Sequence, residues 1–321
     1  SRPPAHVVSG MAGWIPDDRP LVASYNATVS RRDELRALDL DVYIPDECHF
    51  AGNPNAQRTA AVWSTEGVAH AAANLWPLSG TPAPKSAASL WPMLRAFGKT
   101  PLDYDQFVRR YCRTAPGGVI LGTKDECYEI QELRTINRSC SLRRTRAQVA
   151  PDMPAIDFQF LPVHGTPPAG GDFAGTDDEL AVWLETHAGS DAEFRHACAL
   201  AKVPALVEHV DFALRGKLLG QTLVLGYHVE PLHQVAVGLN ALGWNVGVLT
   251  GQTTRSLRRL RQAQFHAGEI DVLCAQLIAA GTAIDLSPAR HGYLLEMDWI
   301  PGSNLQAVNR MISMEKLDKV T

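Results

Sequence analysis

The sequence predicts an α/β chain built from two open parallel sheets flanked by helices. Two observations carry this. Short apolar or β-branched runs alternate with helix-patterned stretches, and the alternation occurs twice, on either side of a stretch rich in Gly, Pro and Asp. The runs are nearly continuously apolar, as expected for parallel strands covered on both faces.

In the first series, LVASYN (Leu21 to Asn26) is a strand, RRDELRAL a helix, DVYIPDECHF a second strand with its exit, the stretch after Asn53 a helix, and NLWPLSGTP a third strand. From Trp91 to Arg146 the pattern is amphipathic and rich in aromatic and arginine residues (YDQFVRRYC, ELRTINRSCSLRRTR), which predicts a helical subdomain over 91–146. VHGTPPAGGDFAGTDDE has no periodicity and reads as a linker, so the boundary is set close to residue 165, giving domains 1–165 and 166–321. The second series comprises TLVLGYH (Thr222 to His228), a helix over Leu232 to Leu242, WNVGVLTG, an Arg-rich helix from Thr254 to His266, IDVLCAQL and GYLLEMDW. No fixed-period repeat is present.

With 321 residues, 45% hydrophobic and 20% charged, the chain holds enough material for two cores. Lys and Arg number 30 against 34 for Asp and Glu, a formal net charge of -4, so any nucleic-acid contact must come from local patches. The six cysteines show neither CxxC pairing nor zinc-ligand spacing and read as reduced thiols. No charged-then-apolar leader and no apolar run of membrane-spanning length occur, so a soluble intracellular protein without membrane contact is expected.

Two motifs bear on chemistry. Asp46-Glu47-Cys48-His49 follows the apolar strand VYIP directly, where the carboxyl end of a parallel strand meets the ligand crevice. One carboxylate there can hold Mg²⁺ while the next orients or deprotonates a water, as ATP hydrolysis requires. The same four residues, taken alone, also fit a solvated acidic turn. LSGTP (Leu78 to Pro82) closes another strand; Ser79 and Thr81 offer hydroxyls and Gly80 permits close backbone approach, although an ordinary strand-to-loop turn has the same composition.

The order and spacing of these motifs resemble the Swi/Snf-like branch of superfamily-two helicases, in which a DExH box precedes LSGTP by a few tens of residues. The resemblance continues through SLRRTRAQV (Ser141 to Val149), AKVPALVEHV (Ala201 to Val210) and the run from Ala279 to Arg310, AAGTAIDLSPARHGYLLEMDWIPGSNLQAVNR, and covers nearly the whole chain. By eye it is nearest to HARP-type annealing helicases and phage DNA helicases. It implies two RecA-like lobes, the first incomplete at its N-terminus and carrying a helical insertion, that bind ATP and Mg²⁺ between them and duplex or forked DNA across both. By carry-over, Asp46 would hold Mg²⁺, Glu47 would position the attacking water, and His49 would couple the nucleotide to the second lobe. Ser79, Gly80 and Thr81 would link the ATP and DNA sites, Gly281, Thr282 and Asp285 would sit at the lobe interface with Gln306 nearby, and Arg310 would reach the γ-phosphate.

The chain also departs from the pattern. No phosphate loop GxxxxGK[ST] occurs in residues 1–45; Gly98-Lys99-Thr100 follows the DExH box and has no preceding strand. Ser313 stands where a second arginine is expected, with Glu315 and Lys316 in place of Gly-Gln. The expectation is a motor core without its phosphate loop, inactive alone and completed by a further segment or chain; the alternative is a catalytically degenerate DNA-binding or scaffold module. Arg31 and Arg32, then Arg143, Arg144 and Arg146, then Arg255, Arg258, Arg259 and Arg261 are candidate phosphate contacts, though each cluster fits a solvated face equally. Tyr227, His228 and His233 read as packing and capping residues.

Overall fold

The structure is a computed structural model and describes residues 3–11, 13–151, 156–162, 191–280 and 284–311. The chain forms two compact units, Ser1–Arg143 and Arg144–Thr321. The boundary expected near residue 165 lies outside the described residues, as do Gly281, Thr282, Ser313, Glu315 and Lys316.

In the first unit, β1 (His6–Val8) pairs in parallel with β2 (Leu21–Ala23), Val7 opposite Val22. The three residues of β1 are too few to show a sequence pattern and escape prediction. LVASYN divides after Ala23: Ser24 Oγ accepts a hydrogen bond from Ala27 N at 3.1 Å and so opens helix α1 (Tyr25–Ser30), which places Tyr25 on a helix rather than a strand. Helix α2 (Arg32–Arg36) leads to β3 (Leu40–Tyr43); α3 (Gln57–Trp63) then crosses to β4 (Ala72–Leu75), which pairs in parallel with β3. Buried Cys48, Ala51, Val62 and Trp63, with Tyr25, Tyr43 and Leu75 beside them, pack beneath the carboxyl ends of these two strands.

The 91–146 segment is less helical than expected. Helices α4 (Trp91–Ala96) and α5 (Tyr104–Tyr111) are followed by an antiparallel hairpin, β5 (Cys112–Thr114) with β6 (Ile120–Thr123), before α6 (Tyr128–Arg138). The hairpin tip is Pro116-Gly117-Gly118, with both glycines at positive φ (85° and 83°), a left-handed turn that breaks the helical pattern. Asp103 and Gln106 form a reciprocal capping box that starts α5. Leu94, Phe107, Tyr111, Ile130 and Leu133 make this subdomain's own core.

In the second unit, α7 (Arg146–Val149) and α8 (Asp191–Arg215) precede a four-stranded parallel sheet of β7 (Thr222–Gly226), β8 (Val246–Leu249), β9 (Val272–Gln276) and β10 (His291–Leu294), ordered β10-β7-β9-β8. Every residue of β7 is buried, as its unbroken apolar run requires. Val224, Val272 and Cys274 face α8 and α9 (Val229–Ala241), against Val203, Val210, Leu214, Leu232, Val235 and Leu239. Leu223, Leu225, Leu273 and Ala275 face the other way, against Phe265 of α10 (Arg255–His266), Leu277 of α11 (Leu277–Ala280) and Ala307 and Val308 of α12 (Pro301–Asn309). Burying each such leucine or phenylalanine contributes about 1.5–3 kcal/mol. Asp298, expected at a strand end, lies four residues beyond β10; Asn304 bonds both its N–H and its carbonyl and closes the loop that opens α12.

Among the described residues, no helix is long and apolar enough to cross a membrane.

Candidate active site at the carboxyl ends of β3 and β4

The parallel ladder of β3 and β4 runs on past the regular strands. Trp76 N donates to Tyr43 O at 3.0 Å, Leu78 N to Pro45 O at 3.0 Å, and Cys48 N to Leu78 O at 2.8 Å. This extension carries Asp46-Glu47-Cys48-His49 alongside Leu78-Ser79-Gly80-Thr81, with Ser79 thirty positions after His49, so two motifs read separately in the sequence form one site.

Three contacts set the geometry of the turn. Glu47 has φ 47° and ψ 48°, one of only two non-glycine residues at positive φ among those described, and this reverses the chain into the short 3₁₀ turn Cys48–Ala51. Its N–H donates to Asp46 Oδ1 at 2.9 Å, and the hydroxyl of Tyr25 donates to Asp46 O at 2.8 Å. Trp63 Nε1, buried, donates to Ala51 O at 2.9 Å and anchors the far end of the turn. Asp46 itself is exposed.

His49 is largely enclosed, its side chain 11% exposed. Nδ1 lies 2.9 Å from Ser79 Oγ and 3.2 Å from Glu47 Oε2, and Ser79 Oγ also accepts from Thr81 N at 3.1 Å. The neighbouring carboxylate favours a proton on Nδ1, which then donates to Ser79 Oγ. Burial holds the imidazole below its ordinary titration range, opposed by the charge of Glu47. Despite its 3.2 Å approach to His49, Glu47 Oε2 is buried and makes no hydrogen bond among the described residues. That oxygen keeps acceptor capacity for a further donor. Burial, reinforced by Glu47, pushes the Cys48 thiol up to about 11 and leaves it an inert packing group. A Cβ at Gly80 would meet nothing within 4 Å, so packing inside the unit does not require glycine there.

The remaining sequence candidates occupy the second unit or the surface. Asp285 Oδ1 accepts from Ser287 N at 2.9 Å, and its backbone oxygen lies 3.1 Å from His266 Nε2. Gln306 is half-buried on α12, and Arg310 follows that helix directly, its carbonyl accepting from Leu286 N. Arg143, Arg144 and Arg255 are exposed, while the side chain of Arg146 lies outside the described residues. Arg258 is committed locally: it donates to Ala279 O at 2.9 Å and Thr250 O at 3.4 Å. Arg31, read as a phosphate contact, is 4% exposed and spends its guanidinium on Glu34 and the carbonyls of Ser9, Met11 and Gly13, so it organises that loop instead. His233 is exposed. His228 stands at the cap position of α9, yet its imidazole caps nothing: Nδ1 lies 2.6 Å from Oε1 of the buried Glu296, and its N–H donates to Oε2 at 2.9 Å. Sequence reasoning missed Tyr25 and Glu296, because contacts across 21 and 68 residues leave no local signal.

Comparison with known proteins follows the same line. Residues 17–164 match the SNF2-related domain. The helicase-like transcription factor of Oryctolagus cuniculus is 32% identical over 122 residues, covering 37% of this chain and 11% of that protein. The DNA annealing helicase and endonuclease ZRANB3 of Mus musculus is 23% identical over 315 residues, covering 93% of this chain and 29% of that protein. The SWI/SNF-related matrix-associated actin-dependent regulator of chromatin subfamily A-like protein 1 of Drosophila melanogaster is 23% identical over 310 residues, covering 92% of this chain and 40% of that protein. The chain thus spans less than half the length of each of these relatives. The segment that holds the DECH turn and LSGTP side by side is thus the one that matches the SNF2-related domain, and the chain is similar to Swi/Snf-like proteins along most of its length.

Proposed function

We propose that this chain is the core of a DNA-dependent ATPase that translocates on or remodels duplex or forked DNA, an intracellular motor of the strand-annealing type. The observation that carries the reading is the direct link between the two motifs, His49 Nδ1 to Ser79 Oγ at 2.9 Å, beside a buried carboxylate oxygen of Glu47 that lacks a donor. A water between Glu47 and a phosphorus centre would satisfy that oxygen and be oriented by it. Asp46, exposed at the strand end, offers a hard oxygen ligand and would hold a magnesium ion. When bound, that ion neutralises charge on the transferring phosphoryl group. His49 and Ser79 then report the state of the hydrolytic turn to the loop that carries Thr81. In the second unit, Arg310, Asp285 and Gln306 are the candidates for nucleotide contacts, and Arg143, Arg144 and Arg255 are candidates for phosphate contacts to DNA.

No GxxxxGK[ST] phosphate loop occurs in residues 1–45, and the reading assigns the triphosphate cradle to a further segment or chain. The mouse relative's name, a DNA annealing helicase, supports the annealing reading. ATP hydrolysis with and without forked DNA, by this chain and by the protein extended through an upstream phosphate loop, tests it. DNA-stimulated turnover confined to the extended protein is the expected outcome. Silence in both with DNA binding retained supports the second reading, a degenerate DNA-binding module, which Ser313 at the second arginine position favours.

A further inference from the structure

We infer that Tyr25 is a positioning residue for the hydrolytic turn; this rests on the reading of Asp46 and Glu47 as the metal-holding and water-orienting pair. The turn is held by three hydrogen bonds on two consecutive peptide groups. Tyr25 fixes the carbonyl of Asp46 at 2.8 Å, Asp46 Oδ1 fixes the N–H of the same peptide bond at 2.9 Å, and Leu78 O fixes the N–H of Cys48 at 2.8 Å. Two of these clamps come from the motifs themselves. The third comes from α1, and it acts on the peptide that enters Glu47.

Glu47 needs such a clamp because it sits in the left-handed region, which a side chain with a Cβ leaves unless its surroundings hold it. With the Asp46–Glu47 peptide free to rotate, φ of Glu47 relaxes and Oε2 moves away from the point where a water would lie. The anchor is rigid. Ser24 caps α1 at the residue before Tyr25, and the ring of Tyr25 packs against the buried cluster of Cys48, Ala51, Val62 and Trp63.

Tyr25→Phe removes the hydroxyl and leaves the ring. Tyr43→Phe is the control, since it removes a second phenol hydroxyl of the same cluster, one that makes no hydrogen bond to residues 46–51. Hydrogen–deuterium exchange of the peptide spanning residues 44–51 is expected to quicken about three- to tenfold in Tyr25→Phe and to stay unchanged in Tyr43→Phe, the loss of one neutral hydrogen bond. Exchange over 91–111 should stay unchanged in both. In the extended protein, kcat should fall by the same factor with KM for ATP unchanged. Unaltered exchange over 44–51 in Tyr25→Phe, or equal acceleration in Tyr43→Phe, overturns the inference. Should the unsubstituted protein hydrolyse no ATP, the functional reading fails and the exchange measurement still decides the role of Tyr25.

Discussion

Exchanging Glu47 for glutamine separates chemistry from stability at this site. The carboxylate oxygen Oε2 is buried without a hydrogen bond, and the side chain is 38% exposed overall. Glutamine has the same shape and is neutral, and the substitution should change unfolding free energy by no more than about 1 kcal/mol. Turnover in the extended protein should fall by about 10²–10⁴, the contribution of a placed general base, while DNA affinity holds. A third readout follows from His49. Burial lowers its titration and Glu47 opposes that lowering, so removing the charge drops the imidazole further. A histidine depressed in the folded state makes the fold lose stability as pH falls from the unfolded value of about 6.5 through the folded one, because the unfolded chain takes up the proton first. Glu47→Gln should widen that acid-side loss, visible as a steeper fall of Tm below about pH 6.5 and as a lower NMR titration midpoint for His49. Turnover within about tenfold of the parent, or a rise in the His49 midpoint, would refute the roles given to the pair.

Ser79→Ala removes the partner of His49 Nδ1 and of Thr81 N, and should cost about 1–3 kcal/mol in urea unfolding while cutting DNA stimulation of ATPase more than basal turnover; equal loss of both would sever the proposed link. Phe107→Ala empties a fully buried site packed edge-to-face on Tyr111, and a loss of about 3–5 kcal/mol is expected from chemical denaturation; a loss below about 1 kcal/mol would mean the subdomain repacks freely. Burial pushes the Cys48 and Cys274 thiols up to about 11 and about 12, so at about pH 8.5 neither should react with iodoacetamide before unfolding. Rapid native labelling of Cys48 would show the turn opening in solution.

Legibility in the sequence followed the range of the interaction. TLVLG in β7 and VLCAQ in β9 announce buried parallel strands through composition alone, because each residue answers to its own burial. DECH and LSGTP are legible because a strand end and its exit loop are contiguous in the chain. Contacts that depend on distant chain segments were not. Arg31 looks like a free cation beside Arg32 until the carbonyls of Ser9, Met11 and Gly13 fold over it, and the amphipathic pattern from Trp91 to Arg146 conceals a hairpin because its Gly-Gly tip reverses the chain within two residues. His228 looked like a cap, since only the buried carboxylate of Glu296, brought in by β10, shows what the imidazole serves.

The order β10-β7-β9-β8 also bears on how the second unit is made. Strand β7 is the first of the four to leave the ribosome, and both of its hydrogen-bonding edges wait: one for β9, the other for β10, whose His291 pairs with Thr222. At roughly 5–20 residues per second, the about seventy residues separating them take about 4–14 s to synthesise. Throughout that interval an entirely apolar strand stands with an open edge, the kind of surface that pairs with another nascent chain. Helices α8 and α9, which precede or immediately follow β7, can cover one of its faces early, but only the arrival of GYLLEM closes the edge. Chains interrupted before β10 should therefore be recovered with chaperones or in aggregates, whereas those extended past it should be soluble.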